Sequence, residues 1–434
     1  MIQRIFNYKI LSVIFIITKS LFSQENNLPI ELFEKLQANP DIQIKETKVD
    51  LMFTQPIDHN HPDKATFKQL VHLLHKDFSK PVVLWIEGYA SRGNEEQEIT
   101  KLLDANQIMV EHRYFGESVP DSIDWNYLTI KQAADDHHRI AESFKTIYPG
   151  KWVNAGISKG GQTTMYHRRF YPNDVDVSVC YVAPLNFSDE EPRVYTFLEN
   201  VGDAECRDKI LNFQKTVLKK KDQLLALFEE YVQGKKYTYK IGIDSAYEYC
   251  VLEYPFSFWQ WHDLDCSDIP DSNAENDALV DHLVEGSDVY FFSDKANEYF
   301  QSFFYQALTQ TGFYNYDTQP FEGLLTKVIE PNFTMALPEG VEVSFDPKSM
   351  QDIKNWLDEH GNNMIYIYGE IDPWSASAVE LSDKTNALKM VNKEGDHRTR
   401  IESFPDEEKE RILDTLKKWL DVPLNMEAVE DKEK

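Results

Sequence analysis

Three side chains stand out by type and setting: Ser158, Asp372 and His397. A serine hydroxyl attacks a carbonyl only when a base takes its proton. A neutral imidazole can be that base, and a carboxylate can fix its tautomer and stabilise its cation. Ser158 lies in Gly156-Ile157-Ser158-Lys159-Gly160, just after the apolar run "KWVNAGI" and before a helix-like stretch. This G-x-S-x-G spacing suits a sharp strand-to-helix turn. There the serine backbone is strained, and neighbouring backbone comes too close for a Cβ two residues before or after it. Asp372 follows "MIYIYGEI", and Pro373 then ends the strand; His397 follows "LKMVNKEGD" and precedes the last helix-like segment. Glu370 and Asp396 compete with Asp372 for the acid role.

An attacked carbonyl develops an oxyanion, which needs two donors already aimed at it. The spacing offers the backbone N–H of Lys159, and one from the loop after "VVLWIEGY", at Tyr89 or Gly88. The Lys159 side chain is read as packing or ion-pairing. His59 and His61 in "DHNH" are expected in a solvated hairpin turn rather than on a metal. His112, His137, His138, Asp135 and Asp136 read as helix-surface or packing residues. No C-x-x-C pair occurs, so zinc is not called for, and the chemistry needs no metal or cofactor.

The elements that must position these groups follow from the apolar pattern. "TKVDLMFTQPIDH" and "TFKQLVHLLHKD" predict a leading antiparallel pair. "PVVLWIEGY", "QIMVEHRYFG", "KWVNAGIS" and "VDVSVCYVAP" are short β-branched runs of the kind buried on both faces of a parallel sheet. Helical stretches alternate with them, which predicts a doubly wound α/β layer with its site at the strand C-termini. The order Ser, Asp, His is the one an α/β-hydrolase sheet requires. The alternation stops after Pro184 and resumes at "NNMIYIYGEIDPW". The expected division is therefore a core over 24–189 and 346–425, interrupted by a large, mainly helical cap over 190–345. A charged tail, 426–434, is expected to be disordered.

Residues 1–23 pair basic Arg4 and Lys9 with a short apolar run, the pattern of a secretory signal peptide, so a secreted or periplasmic protein is expected. No later segment of the 434 is apolar enough to cross a bilayer, and the formal net charge of −28 argues against nucleic acid or anionic membrane as partners. Composition leaves the oligomeric state open. Of four cysteines, Cys180 reads as a buried apolar residue, while Cys206, Cys250 and Cys266 leave room for one bridge.

Taken together, "FTQPIDHNHP", "EHRYFGES", "GISKGGQT", "GEIDPWS" and "GDHR" resemble the secreted bacterial tripeptidyl aminopeptidase family of serine peptidases, relatives of the lysosomal Pro-Xaa carboxypeptidases. The resemblance implies an exopeptidase that releases tripeptides, sometimes tetrapeptides, from free peptide N-termini, with proline favoured before the cleaved bond. It carries the nucleophile, acid and base roles onto Ser158, Asp372 and His397. It does not fix the substrate pocket. An aminopeptidase must bind an ammonium, for which Glu253, Asp263, Asp265, Glu87 and Glu111 are candidates. Phe256, Phe258, Trp259 and Trp261 either wall a proline pocket or pack the cap. A Pro-Xaa carboxypeptidase, an esterase and a non-catalytic binding protein on the same scaffold are the alternatives.

Overall fold

A computed structural model describes residues 29–44 and 50–428. The signal-peptide expectation and residues 429–434 lie outside the described residues. The strands are β1 (Ile42–Ile44), β2 (Asp50–Pro56), β3 (Thr66–Leu74), β4 (Val82–Ile86), β5 (Asn106–Val110), β6 (Trp152–Ile157), β7 (Val177–Tyr181), β8 (Met364–Gly369) and β9 (Leu388–Asn392). They form one sheet in the order β1-β2-β3-β5-β4-β6-β7-β8-β9. The pairings β1–β2, β2–β3 and β3–β5 are antiparallel, and the remaining five are parallel. This is the α/β-hydrolase fold, with a mainly helical cap inserted between β7 and β8. β1 and the preceding helix Ile30–Ala38 carried no clear signal, the strand being three residues long.

The central strands are covered on both faces because their residues divide by parity. Val83 and Trp85 of β4 face the layer of helix Asp406–Leu420, where Ile412, Leu413 and Leu416 pack. Val82, Leu84 and Ile86 face the layer of helix Ile130–Lys145, with Ile140 and Phe144. That two-sided burial explains why these strands read as unbroken apolar runs. Buried Arg113 donates from Nε to Asp136 at 2.6 Å, and His59 Nε2 sits 2.6 Å from the same carboxylate. Burial works against the charge of Asp136, but Arg113 and His59 outweigh it and hold its carboxyl below the usual range. His59 is therefore tied to the core rather than solvated, a correction to the hairpin reading.

The cap includes helices Ala204–Lys219, Lys221–Gly234, Ile243–Trp261, Asn276–Gly286 and Asp294–Gln306. A Cys206–Cys266 disulfide ties the first of these to the loop after Trp261. Cys180 is buried and unbridged, as expected, and so is Cys250. The core is closed just before the expected tail. Asn425 N–H donates to Leu102 O at 2.7 Å, Leu424 packs on the core, and Met426–Ala428 form a short 3-10 turn.

Candidate active site

β6 lies between β4 and β7, and its C-terminal end turns at once into helix Lys159–Phe170. Ser158 occupies the turn with φ 54° and ψ −121°, a region L-residues avoid. The crossing is possible because the adjoining residues lack side chains. A Cβ on Gly156 would lie 2.4 Å from Gly160 C and 2.6 Å from Ile86 O; one on Gly160 would lie 2.4 Å from Ile86 O. Backbone holds the turn on both sides: Ser158 N–H donates to Tyr181 O at 2.8 Å, and Gln162 N–H donates to Ser158 O at 2.9 Å.

Asp372 and His397 leave β8 and β9 on neighbouring loops. Their side chains meet, His397 Nδ1 lying 2.7 Å from Asp372 Oδ2. Asp372 is fully buried, and its other oxygen accepts Trp374 N–H at 3.1 Å. The competitors are occupied elsewhere. Glu370 accepts Glu394 N–H, and Asp396 binds Arg398. Ser158 and His397 both line a cavity of about 650 Å³. Among the described residues the hydroxyl and imidazole are not yet hydrogen-bonded, a common resting arrangement that tightens when substrate binds.

Tyr89 and Glu87 line the same cavity from the end of β4. The N–H groups of Lys159 and Tyr89 have no acceptor among the described residues. Gly88 is pressed beneath the turn, where a Cβ would lie 2.6 Å from Gly160 N. Trp261 also lines the cavity, and its ring meets that of His397 edge-on at 5.7 Å.

The cap acids divide differently from expectation. Glu253 does not line this cavity. It is buried, accepting hydroxyl bonds from Tyr314 at 2.8 Å, Tyr316 at 2.6 Å and Ser257 at 3.1 Å. Burial pushes its carboxyl up to about 7. Trp259 lines a separate cleft of the cap. Asp263 is held by Arg398 at 2.8 Å, and Asp265 accepts no bond from the cavity residues. Glu111 is saturated by Ser91, Glu117 and Ser118. Glu87 remains: one oxygen accepts Trp85 Nε1–H at 3.1 Å, and burial pushes the carboxyl up to about 7.

Sequence reasoning missed several cavity groups, among them Arg92 and Arg400. Asp288 lines the pocket with its carboxyl raised by burial, and Gln260 supplies a backbone carbonyl that accepts His397 N–H at 3.1 Å. A carbonyl contribution leaves no mark on residue type. Asp288 sits in "EGSDVYF", indistinguishable by pattern from a helix-capping turn.

A serine on a strained strand-to-helix turn, below a buried acid–imidazole pair, defines a serine hydrolase of the α/β type. The chain belongs to the family described as PS-10 peptidase S37, which matches residues 40–427, and it is a serine peptidase. It is 34% identical over 392 residues to the prolyl tri/tetrapeptidyl aminopeptidase of Streptomyces mobaraensis, covering 88% of this chain and 82% of that protein. It is 22% identical over 419 residues to the lysosomal Pro-X carboxypeptidase of Mus musculus, covering 81% and 84%. Among solved structures it is similar to a proline iminopeptidase of Mycobacterium smegmatis, with a TM-score of 0.41 and 12% identity over 85% of this chain and 98% of the other. Among the described residues no helix is long and apolar enough to cross a membrane.

The crowding at the turn makes a direct prediction. Gly156→Ala should destabilise by about 1–3 kcal/mol or more, because its Cβ would meet rigid backbone. Gly234→Ala, with open space around it, should cost far less. Urea unfolding of both variants measures the difference.

Proposed function

We propose that this peptidase releases tripeptides or tetrapeptides from free peptide N-termini, with proline accepted before the cleaved bond, through an acyl-enzyme on Ser158. The observation that carries this reading is the cavity itself. Ser158, Tyr89 and His397 all line it, with Asp372 bonded behind the imidazole, and Lys159, whose N–H has no acceptor among the described residues, follows Ser158 directly in the chain. His397 takes the hydroxyl proton as Ser158 attacks the carbonyl, and Asp372 stabilises the resulting imidazolium. The N–H groups of Lys159 and Tyr89 bind the oxyanion. His397 then protonates the leaving amine, and a water deprotonated by His397 releases the peptide acid. The relationship to the Streptomyces mobaraensis enzyme supports the product length.

Of the acids read from the sequence as ammonium binders, Glu87 lines the cavity and the others do not, and Asp288, which also lines it, already accepts Phe291 N–H. Glu87 is therefore the acid we assign to the substrate ammonium. The basic, then apolar start of the chain supports secretion, as does a disulfide in the cap. A second reading, removal of a C-terminal residue, is favoured by one observation. Arg92 and Arg400 line the same cavity and could hold a terminal carboxylate, whereas Arg398 is already held by Asp263 and Asp396.

Mass spectrometry of digests of peptides with free, acetylated or C-terminally amidated ends separates these readings. The aminopeptidase reading requires tri- or tetrapeptide products that vanish on acetylation and persist on amidation; the reverse pattern would favour the carboxypeptidase. Ser158→Ala should lower kcat by roughly 10³-fold or more without loss of folding.

A pH dependence follows from Glu87. Its carboxyl titrates near 7, so the charge that attracts an ammonium is lost as pH falls through that value. The substrate amine loses its own charge above about 8. KM for free-amine peptides should therefore be lowest between these limits and rise on the acid side. Glu87→Gln should raise KM at pH 8 by about 10-fold or more and flatten the acid limb, as steady-state kinetics would reveal.

A further inference from the structure

Lys159 presents a puzzle that packing does not answer. Its side chain is buried beside the nucleophile, at 3% exposure, yet no carboxylate pairs with it among the described residues. Burial pushes its ammonium well below the ordinary lysine range, so the site is a costly place for this residue. The nitrogen lies over the rings of Phe115 and Tyr89, at 5.3 and 5.7 Å from their centroids. It makes one polar contact, Nζ–H donating to Gly88 O at 2.8 Å. Ammonium and neutral amine both carry an N–H for that bond.

Gly88 O belongs to the peptide unit whose N–H is that of Tyr89. The unit is planar and trans, so its oxygen and its hydrogen point in opposite directions. Anchoring the oxygen beneath the turn aims the hydrogen the other way, and Tyr89 lines the cavity that holds Ser158. A donor bound to the carbonyl also polarises the amide, which strengthens the N–H as a donor. Loops are the mobile part of such a site, and an oxyanion donor acts only when it is already in place.

We propose that the Lys159 side chain is a positioning residue for the oxyanion hole: its bond to Gly88 O sets the plane of the Gly88–Tyr89 peptide and thereby aims the Tyr89 N–H at the reacting oxygen. The backbone N–H of Lys159 is the other donor, so one residue serves the same oxyanion twice, directly and through its neighbour. The inference rests on the acyl-transfer reading of Ser158. It goes beyond that reading in assigning the buried amine to transition-state stabilisation rather than to an ion pair or to packing.

The proposal separates stability from turnover, which a structural lysine would not do. Lys159→Met keeps the stem and the backbone N–H but removes the buried nitrogen. Its melting temperature should be unchanged or higher, since an apolar side chain suits the site better. Its kcat on a tripeptidyl anilide, normalised to sites titrated by a fluorophosphonate, should fall about 10- to 100-fold, below the loss from deleting a donor outright. KM should stay within about 2-fold, because the interaction acts only in the transition state. Affinity for a tripeptidyl boronate, which places a tetrahedral oxyanion on Ser158, should fall by the same factor as kcat. Lys159→Gln, which retains an N–H donor, should recover part of the loss. Lys159→Leu gives the same readings should the Met variant fail to accumulate.

A kcat within about 2-fold of wild type in Lys159→Met would overturn the proposal. So would a loss of kcat accompanied by an equal rise in KM and unchanged boronate affinity. Failure of wild-type Ser158 to take up the fluorophosphonate would instead sink the acyl-transfer reading, so the two failures are distinguishable.

Discussion

Backbone crowding against backbone at the end of β6 is the constraint on which the rest depends. Gly156, Gly160 and Gly88 bring the turn, the first helical residues and the loop after β4 to distances at which no Cβ fits. That contact holds Ser158 at a positive φ, lining the cavity, with a helix beginning at the next residue. It also fixes where the Tyr89 and Lys159 N–H groups stand relative to one another. A single side-chain carbon at the crossing would push Ser158 away from the backbone of the loop after β4.

The cap is part of the chemistry's frame rather than only a cover. The loops that carry Asp372, His397 and Tyr89 all touch it. Trp374, two residues after Asp372, meets Phe256 at 5.2 Å and Tyr314 at 5.4 Å. Gln260 O receives His397 N–H, Asp263 holds Arg398, and the Tyr89 ring packs on Phe300 and Phe303. Glu253 joins this frame from inside, knitting Tyr314 and Tyr316 to helix Ile243–Trp261. The sheet therefore carries Ser158, Asp372 and His397, while the cap packs on their loops and bounds the cavity.

Much of the site was legible because it is local. The nucleophile turn is written in two glycines and a serine, and Asp372 and His397 each follow a recognisable strand. The parallel strands were legible as apolar runs because both their faces are buried. What escaped depends on contacts between distant segments. Glu253 looked like a free cap acid, yet three hydroxyls from the cap consume it. His59 looked like turn decoration, yet it reaches Asp136 across the fold. The Gln260 carbonyl has no side-chain signature, and the Lys159 side chain looked like packing until its acceptor was seen to be Gly88 O. Pattern reveals which face a residue occupies, but not which long-range partner satisfies it.

The central claim is that the crossing of turn and loop holds two backbone donors on the oxygen that becomes negative. A crystal structure of the protein inactivated with a tripeptidyl phosphonate diester tests it directly, because the phosphonyl oxygen on Ser158 occupies the oxyanion position. That oxygen should lie within hydrogen-bond distance of both the Tyr89 and Lys159 nitrogens, with His397 turned toward Ser158 Oγ. An adduct on Ser158 whose phosphonyl oxygen faces solvent, or meets neither nitrogen, would contradict it.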